Sequence, residues 1–124
     1  MSDIKINWLE EAKASNFDSA ESYLTLVCGH VAAKKLVGEL RKAKVEHFAA
    51  KDILRAAEIE AFPSNTEHVK TNINKVKNDE KLGPVMLCRV KDHPLIIADG
   101  MHRVSAIWHF GEDLVVHALV VEDK

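Results

Sequence analysis

At 124 residues, with 47% hydrophobic and 29% charged side chains, the chain has the length and apolar content of one packed domain, which excludes a disordered or low-complexity polypeptide. The 17 basic against 19 acidic residues give a formal net charge of −2, so there is no global positive field to hold a polyanion by counterion release, and nucleic acid is disfavoured as a partner. No apolar run approaches the roughly 20 residues that span a bilayer and the N-terminus lacks an apolar leader core, so the expected setting is the cytoplasm, away from membranes.

Residues 1–15 are mostly polar; Ile4, Ile6, Trp8 and Leu9 are too few to set a period, and the segment reads as an arm pinned by Trp8. Asp18-Ser-Ala-Glu21 has capping-box spacing, and Phe17, Ala20, Leu24, Val27 and Val31 recur at three and four residues. Together they predict a helix from about 18 to 30, with Gly29 at its end. Ala32, Leu36, Val37 and Leu40 predict a second helix or a kinked continuation, with Lys34, Lys35, Arg41 and Lys42 on its solvated face.

Residues 45–49 are β-branched and aromatic and read as a strand, residues 52–57 as a turn or single helical turn, and residues 58–62 as extended chain. Pro63 closes that stretch, because proline offers no N–H and disfavours helix in the residue before it. Ser64-Asn65 then caps a helix from about 66 to 79, with Val69, Ile73 and Val76 on one face and Lys70, Lys75 and Lys77 also carried on it. Lys81-Leu-Gly-Pro84 reads as a turn. Residues 85–90 and 95–98 read as strands of a hairpin joined by Lys91-Asp92-His93-Pro94. A helix over 101–110 stops at Gly111, and residues 114–121 form a last strand. This order predicts an α+β fold, a small mixed β-sheet packed with helices.

Cys28 and Cys88 lie in apolar segments without C-x-x-C spacing and read as buried reduced thiols; the seven histidines show no metal-ligand spacing, so no metal site is expected. The one stretch with a chemical signature is Leu95-Ile-Ile-Ala-Asp-Gly-Met-His-Arg-Val-Ser-Ala-Ile-Trp108. A strand stops at Asp99-Gly100 and restarts as a helix. Glycine permits the turn, and the new helix begins with unpaired N–H groups at its positive dipole end, the makings of an anion site. His102 and Arg103 in the first turn can add charge-assisted donors, so phosphate or nucleotide is the predicted ligand.

Each of these residues also has a plain structural role. Asp99 can cap the helix through its carboxylate, and His102 can bond its own helix terminus. Arg103, which opposes the dipole unless an anion offsets it, can pair with Asp99 or Glu58. His109 lies roughly 10 Å along the helix from His102, too far to share a metal ion with it. Trp108 and Ile107 continue the apolar period and read as core.

Gly100-Met-His-Arg103-Val-Ser-Ala106 resembles the G-x-x-R-x-x-A box of the ParB/sulfiredoxin superfamily, and Asp99-Gly100 with His102-Arg103 resembles the D-G-x-H-R form of its ParB-like domains. Gly83-Pro-Val-Met-Leu-Cys-Arg-Val90 is similar to the family's L-x-P-V-x-V strand, and the likeness covers roughly residues 44–121. It implies a ParB/sulfiredoxin-like domain over residues 44–124, preceded by an N-terminal arm and helical extension over 1–43. It also implies phosphate recognition at Asp99, Gly100, Met101, His102 and Arg103, because the box contacts CTP in ParB partition proteins, ATP in sulfiredoxins and ATP or ADP in free-serine kinases. ATP, ADP or CTP with Mg²⁺ is therefore the implied cofactor class, with Lys51 and Arg55 adding positive charge. Met101 stands where sulfiredoxins place their catalytic cysteine, which argues against sulfinic acid reduction. The helix-turn-helix and dimerisation segment of partition proteins are not among these residues, so chromosome segregation is not expected.

Two functional classes follow. One is a phosphotransferase or nucleotide hydrolase, with Asp99, Glu58 or Glu60 holding Mg²⁺ or activating an acceptor; it expects Arg103→Ala to remove activity and leave the fold intact. The other is a non-catalytic nucleotide-sensing or protein-interaction module that uses the N-terminal helices as its partner surface. Nuclease or DNA-binding activity is disfavoured by the near-neutral charge and the lack of an aromatic-basic strip.

Overall fold

The computed structural model describes residues 4–123 and, among these, runs β1 (Asn7–Trp8), α1 (Ala14–Leu40), β2 (Val45–Ala49), α2 (Ala50–Ala57), α3 (Glu67–Lys77), β3 (Lys81–Leu82), β4 (Val85–Val90), β5 (Ile96–Asp99), α4 (Met101–Phe110) and β6 (Val115–Asp123). The described residues thus form an α+β fold with four helices and mixed sheet. A four-stranded sheet has the order β2-β6-β4-β5, and β1 pairs with β3 in a separate two-stranded sheet. β4 and β6 are parallel, whereas β2–β6 and β4–β5 are antiparallel.

The layering follows from strands that are apolar on both faces. Val85, Met86, Leu87 and Cys88 are all buried, as in a strand covered on two sides. Side chains alternate along a strand, so the same four residues feed two cores. Met86 and Cys88, with Ile96, Ala98, Leu119 and Val121, pack against Phe17, Ala20, Leu24, Ala33, Leu36, Val37 and Leu40 of α1. Val85 and Leu87, with Ile97, Val116 and Ala118, pack against Ile53 and Leu54 of α2, Val76 of α3, and Val104 and Ile107 of α4. The sheet is therefore sandwiched between helices. Leu24, Leu36 and Leu40 are fully buried, and each such side chain contributes about 1.5–3 kcal/mol.

Several local expectations change. The first helix starts at Ala14, where the backbone N–H of Lys13 donates to Asn16 Oδ1 at 3.2 Å, so Asn16 rather than the Asp18–Glu21 spacing ties down its first turn. Gly29 has φ 86 and ψ 167, a non-helical residue inside α1. Because it rotates the chain by something other than a helical step, the apolar period counted across it fails. Val31, expected in the core, is 86% exposed, and Leu26 is 88% exposed. The segment expected as a turn after the first strand is a two-turn helix, α2, closed by Glu58 in the left-handed region at φ 57. Lys81–Leu82, expected as a turn, pairs in parallel with Asn7–Trp8, and Trp8 stacks on His117 with ring centroids 4.7 Å apart.

Cys28 and Cys88 are free thiols; Cys88 is buried, and burial pushes it up to about 12. Among the described residues no helix is long and apolar enough to cross a membrane.

Candidate functional site

β5 is an edge strand whose last residue, Asp99, pairs with Met86 before the chain turns at Gly100. Gly100 has φ 109, a region that L side chains rarely adopt, and a Cβ there would fall on the Val85 side chain, 2.7 Å from its Cβ. Glycine is thus demanded twice, by conformation and by space. The first ladder bond of α4 runs from Val104 N to Gly100 O at 2.9 Å, and no side chain caps the helix. The N–H groups of Met101, His102 and Arg103 consequently precede the helical ladder, at its positive end.

Asp99 does not cap α4. Its Oδ2 accepts from Arg103 Nη2, one turn along, and the two side chains are 12% and 11% exposed. Arg103 Nη1 donates to the carbonyl oxygens of Gly83 at 2.7 Å and Pro84 at 3.1 Å. The guanidinium expected to meet a phosphate is instead turned inward, tying α4 to the end of β5 and to the link between β3 and β4. The Asp99 carboxylate offsets the unfavourable placement of a cation at a helix N-terminus, and Glu58 plays no part in the pair.

His102 stays at the surface of the turn. With Asp99, Gly100 and Met101 it lines a cleft of about 440 Å³ whose other walls include Tyr23, Ile59 and Phe62. Its ring centroid lies 5.4 Å from Phe62 and 5.0 Å from His68. Burial, then the neighbouring His68 and Arg103, lower its pKa below the ordinary 6.5, with Asp99 acting in the opposite sense. Burial and the stacked His47 lower His117 in the same direction. A base with a depressed folded pKa resists protonation in the native state, so the unfolded chain binds more protons as pH falls below about 6.5. The stability these two groups contribute is whole above that pH and is lost below it. The melting temperature should therefore fall between pH 7 and pH 5, and His102→Gln with His117→Gln should flatten that dependence; an unaltered slope in the double variant would assign it elsewhere.

The Phe62 wall is fixed by α4 itself. The Phe62 N–H donates to Oγ of the fully buried Ser105 at 3.0 Å, and His109 Nε2 donates to the Phe62 carbonyl at 2.7 Å. Both peptide groups of Phe62 are thereby held by one helix face, which sets its ring against His102. Ser105→Ala removes the acceptor and leaves a part-buried N–H unpaired, at a cost of about 1–3 kcal/mol. Thermal unfolding should show that loss, and amide exchange at Phe62 should accelerate; unchanged exchange would show that the bond does not hold the segment.

The other expected phosphate contacts lie elsewhere. Lys51 Nζ pairs with Asp113 at 2.6 Å and Arg55 Nη1 with Asp52 at 3.6 Å. Both line a separate cleft of about 730 Å³ that also contains Glu58, Glu60, Trp108 and Glu112. Trp108, expected as core, is half-buried there. The seven expected site residues are thus divided: Asp99, Gly100, Met101 and His102 share one cleft, Arg103 braces it from within, and Lys51 and Arg55 border another.

Chemically, the α4 cleft offers backbone N–H donors, the imidazoles of His93 and His102, and apolar walls. Its one lining carboxylate, Asp99, is held by Arg103. Among the described residues no group of three or more His, Cys, Asp or Glu side chains is placed to hold a metal ion. Phe62, His68, Tyr23 and Ser105 had no sequence signal linking them to the turn. No protein-family model, no curated protein and no solved structure matches this chain.

Proposed function

We propose that the chain is a nucleotide-class phosphate-binding domain of the ParB/sulfiredoxin type, in which the first turn of α4 meets the phosphate. The observation that carries the reading is the uncapped start of α4, opening at Gly100 into the cleft beside His102. The resemblance of residues 99–106 to the family box supports nucleotides as the ligand class. Arg103 acts here by bracing the turn and not by touching the ligand.

A non-catalytic module, which binds without turnover, is favoured over a phosphotransferase by the Asp99–Arg103 pair. That pair engages the carboxylate that would otherwise hold Mg²⁺ or activate an acceptor, while Glu58 and Glu60 line the other cleft. A ligand that binds only the folded state raises stability by about 2.7 kcal/mol at a hundredfold excess over Kd. Thermal unfolding with ATP, ADP, CTP and GTP, with and without Mg²⁺, should therefore show a higher melting temperature for at least one of them. If none shifts the transition at millimolar concentration, nucleotide binding is wrong. Labelled nucleotide recovered unchanged after incubation with excess protein would support the binding module, and a released product would contradict it.

A further inference from the structure

We infer that the N-terminal arm, residues 4–9, is an acid-released latch: protonation of the His47–His117 pair beneath Trp8 frees the arm from the sheet while the rest of the fold stays closed. Three stacked rings carry the inference. His47 of β2 and His117 of β6 stand directly opposite one another in the antiparallel register, with ring centroids 4.3 Å apart and an interplanar angle of 20°. Trp8 stacks on His117 at 4.7 Å with an interplanar angle of 8°, so His117 is the middle layer. The arm's other polar ties are short. Asn7 and Trp8 pair with Lys81 and Leu82, the Leu9 N–H donates to the Leu82 carbonyl at 2.8 Å, and Asn7 Nδ2 donates to the Asp79 carbonyl at 3.2 Å. A two-residue ladder is marginal by itself, so the arm depends on the seat that His117 gives Trp8.

The surroundings of the pair set the sign of the response. From β2, Glu46 pairs with Ala118 and, because side chains alternate along a strand, points to the opposite face of the sheet. β6 brings Val115, Val116, Ala118 and Leu119, none titratable, and β4 joins the register at Val85 opposite Ala118, after an uncharged Gly83-Pro84 link. The N-terminal segment carries Lys5, Glu10 and Glu11, and β3 carries Lys81. Arg41 and Lys44, with Glu10 and Glu11, line a cleft beside Val45 and Leu119, the next same-face pair along the ladder. Burial and then His47 hold His117 below its ordinary 6.5, and no carboxylate among these groups offsets them. One proton on His117 would rest against the Trp8 face as a cation–π contact, but a second on His47 would place like charges 4.3 Å apart. Releasing the arm returns His117 to water and lets the two rings separate. The open arm therefore binds protons more readily than the closed one, so the advantage of the closed arm is whole above about pH 6.5 and is lost as pH falls below it.

Amide exchange of the full chain, expressed as protection relative to the intrinsic rate at each pH, tests the latch. Between about pH 7 and about pH 5, protection of the Leu9 amide should fall by about tenfold or more while amides of β4 and β6 keep theirs, the mark of a local opening. His117→Gln should abolish that fall. Where the substitution instead leaves Leu9 unprotected at both pH values, His47→Gln decides, because it keeps the Trp8–His117 stack and removes the second charge: opening should then require a lower pH. Leu9 protection that is the same at both pH values in the parent overturns the inference. Protection lost in step with β4 and β6 overturns it too, by assigning the acid effect to global unfolding. A fall undiminished in His117→Gln, or an opening pH unmoved in His47→Gln, overturns it as well.

Discussion

Arg103→Ala should destabilise the protein severely and not produce a folded, inactive chain. The guanidinium is 11% exposed and serves the Asp99 carboxylate and the carbonyl oxygens of Gly83 and Pro84. Truncating it leaves a mostly buried carboxylate without its cation, a class of change that costs about 3–5 kcal/mol. Against a total stability of about 5–15 kcal/mol, that is a large fraction. The melting temperature should drop by roughly 10–20 °C, as followed by far-ultraviolet circular dichroism. Asp99→Asn combined with Arg103→Met should recover part of the loss, because no uncompensated charge then remains. A single variant that melts like the parent would show that the pair is not structural and would return Arg103 to the ligand. The sequence expectation for this variant, an intact fold without activity, is replaced because the donors point inward.

Gly100→Ala should be nearly as damaging for a different reason. At φ 109 an L residue is strained by about 1–3 kcal/mol. Its Cβ would also press on Val85, which is fully buried at the start of β4, and overpacking of this kind costs a similar amount, about 1–3 kcal/mol. The two costs separate experimentally. Val85→Gly in the Gly100→Ala background removes both Val85 atoms that the new Cβ would meet and not the strain, so the double variant should be more stable than the sum of the single losses predicts. Strict additivity would show that the clash is absent and that conformation alone accounts for the effect.

Strand and helix positions were legible where the pattern is local and uninterrupted. The apolar run from Val85, the hairpin link at residues 91–94 and the stop at Asp99-Gly100 place β4, β5 and α4 within a residue or so. Gly29 defeats the same reasoning, because counting three and four residues presumes a constant rotation that φ 86 breaks. Within the site, the turn was visible as residue types, but its bracing was not. Arg103 bonds to backbone carbonyls 19 and 20 residues away, and a carbonyl leaves no mark in the sequence. Ser105 and Phe62 meet across 43 residues through a peptide N–H, for the same reason without a signature. Lys51 and Arg55 were grouped with the turn by charge alone, whereas α2 places them in a different cleft beside Asp113 and Asp52.

The central claim is that the first turn of α4 receives an anion while Arg103 braces it. Amide chemical shifts recorded during titration with a nucleotide test this most directly, because they report location as well as binding. Shifts should concentrate at Met101, His102 and Arg103, with smaller changes at Phe62 and His68, while Lys51 and Arg55 remain unmoved. Shifts centred on residues 51–61 and 108–112 instead, with the α4 turn silent, would contradict the account and move the ligand to the neighbouring cleft.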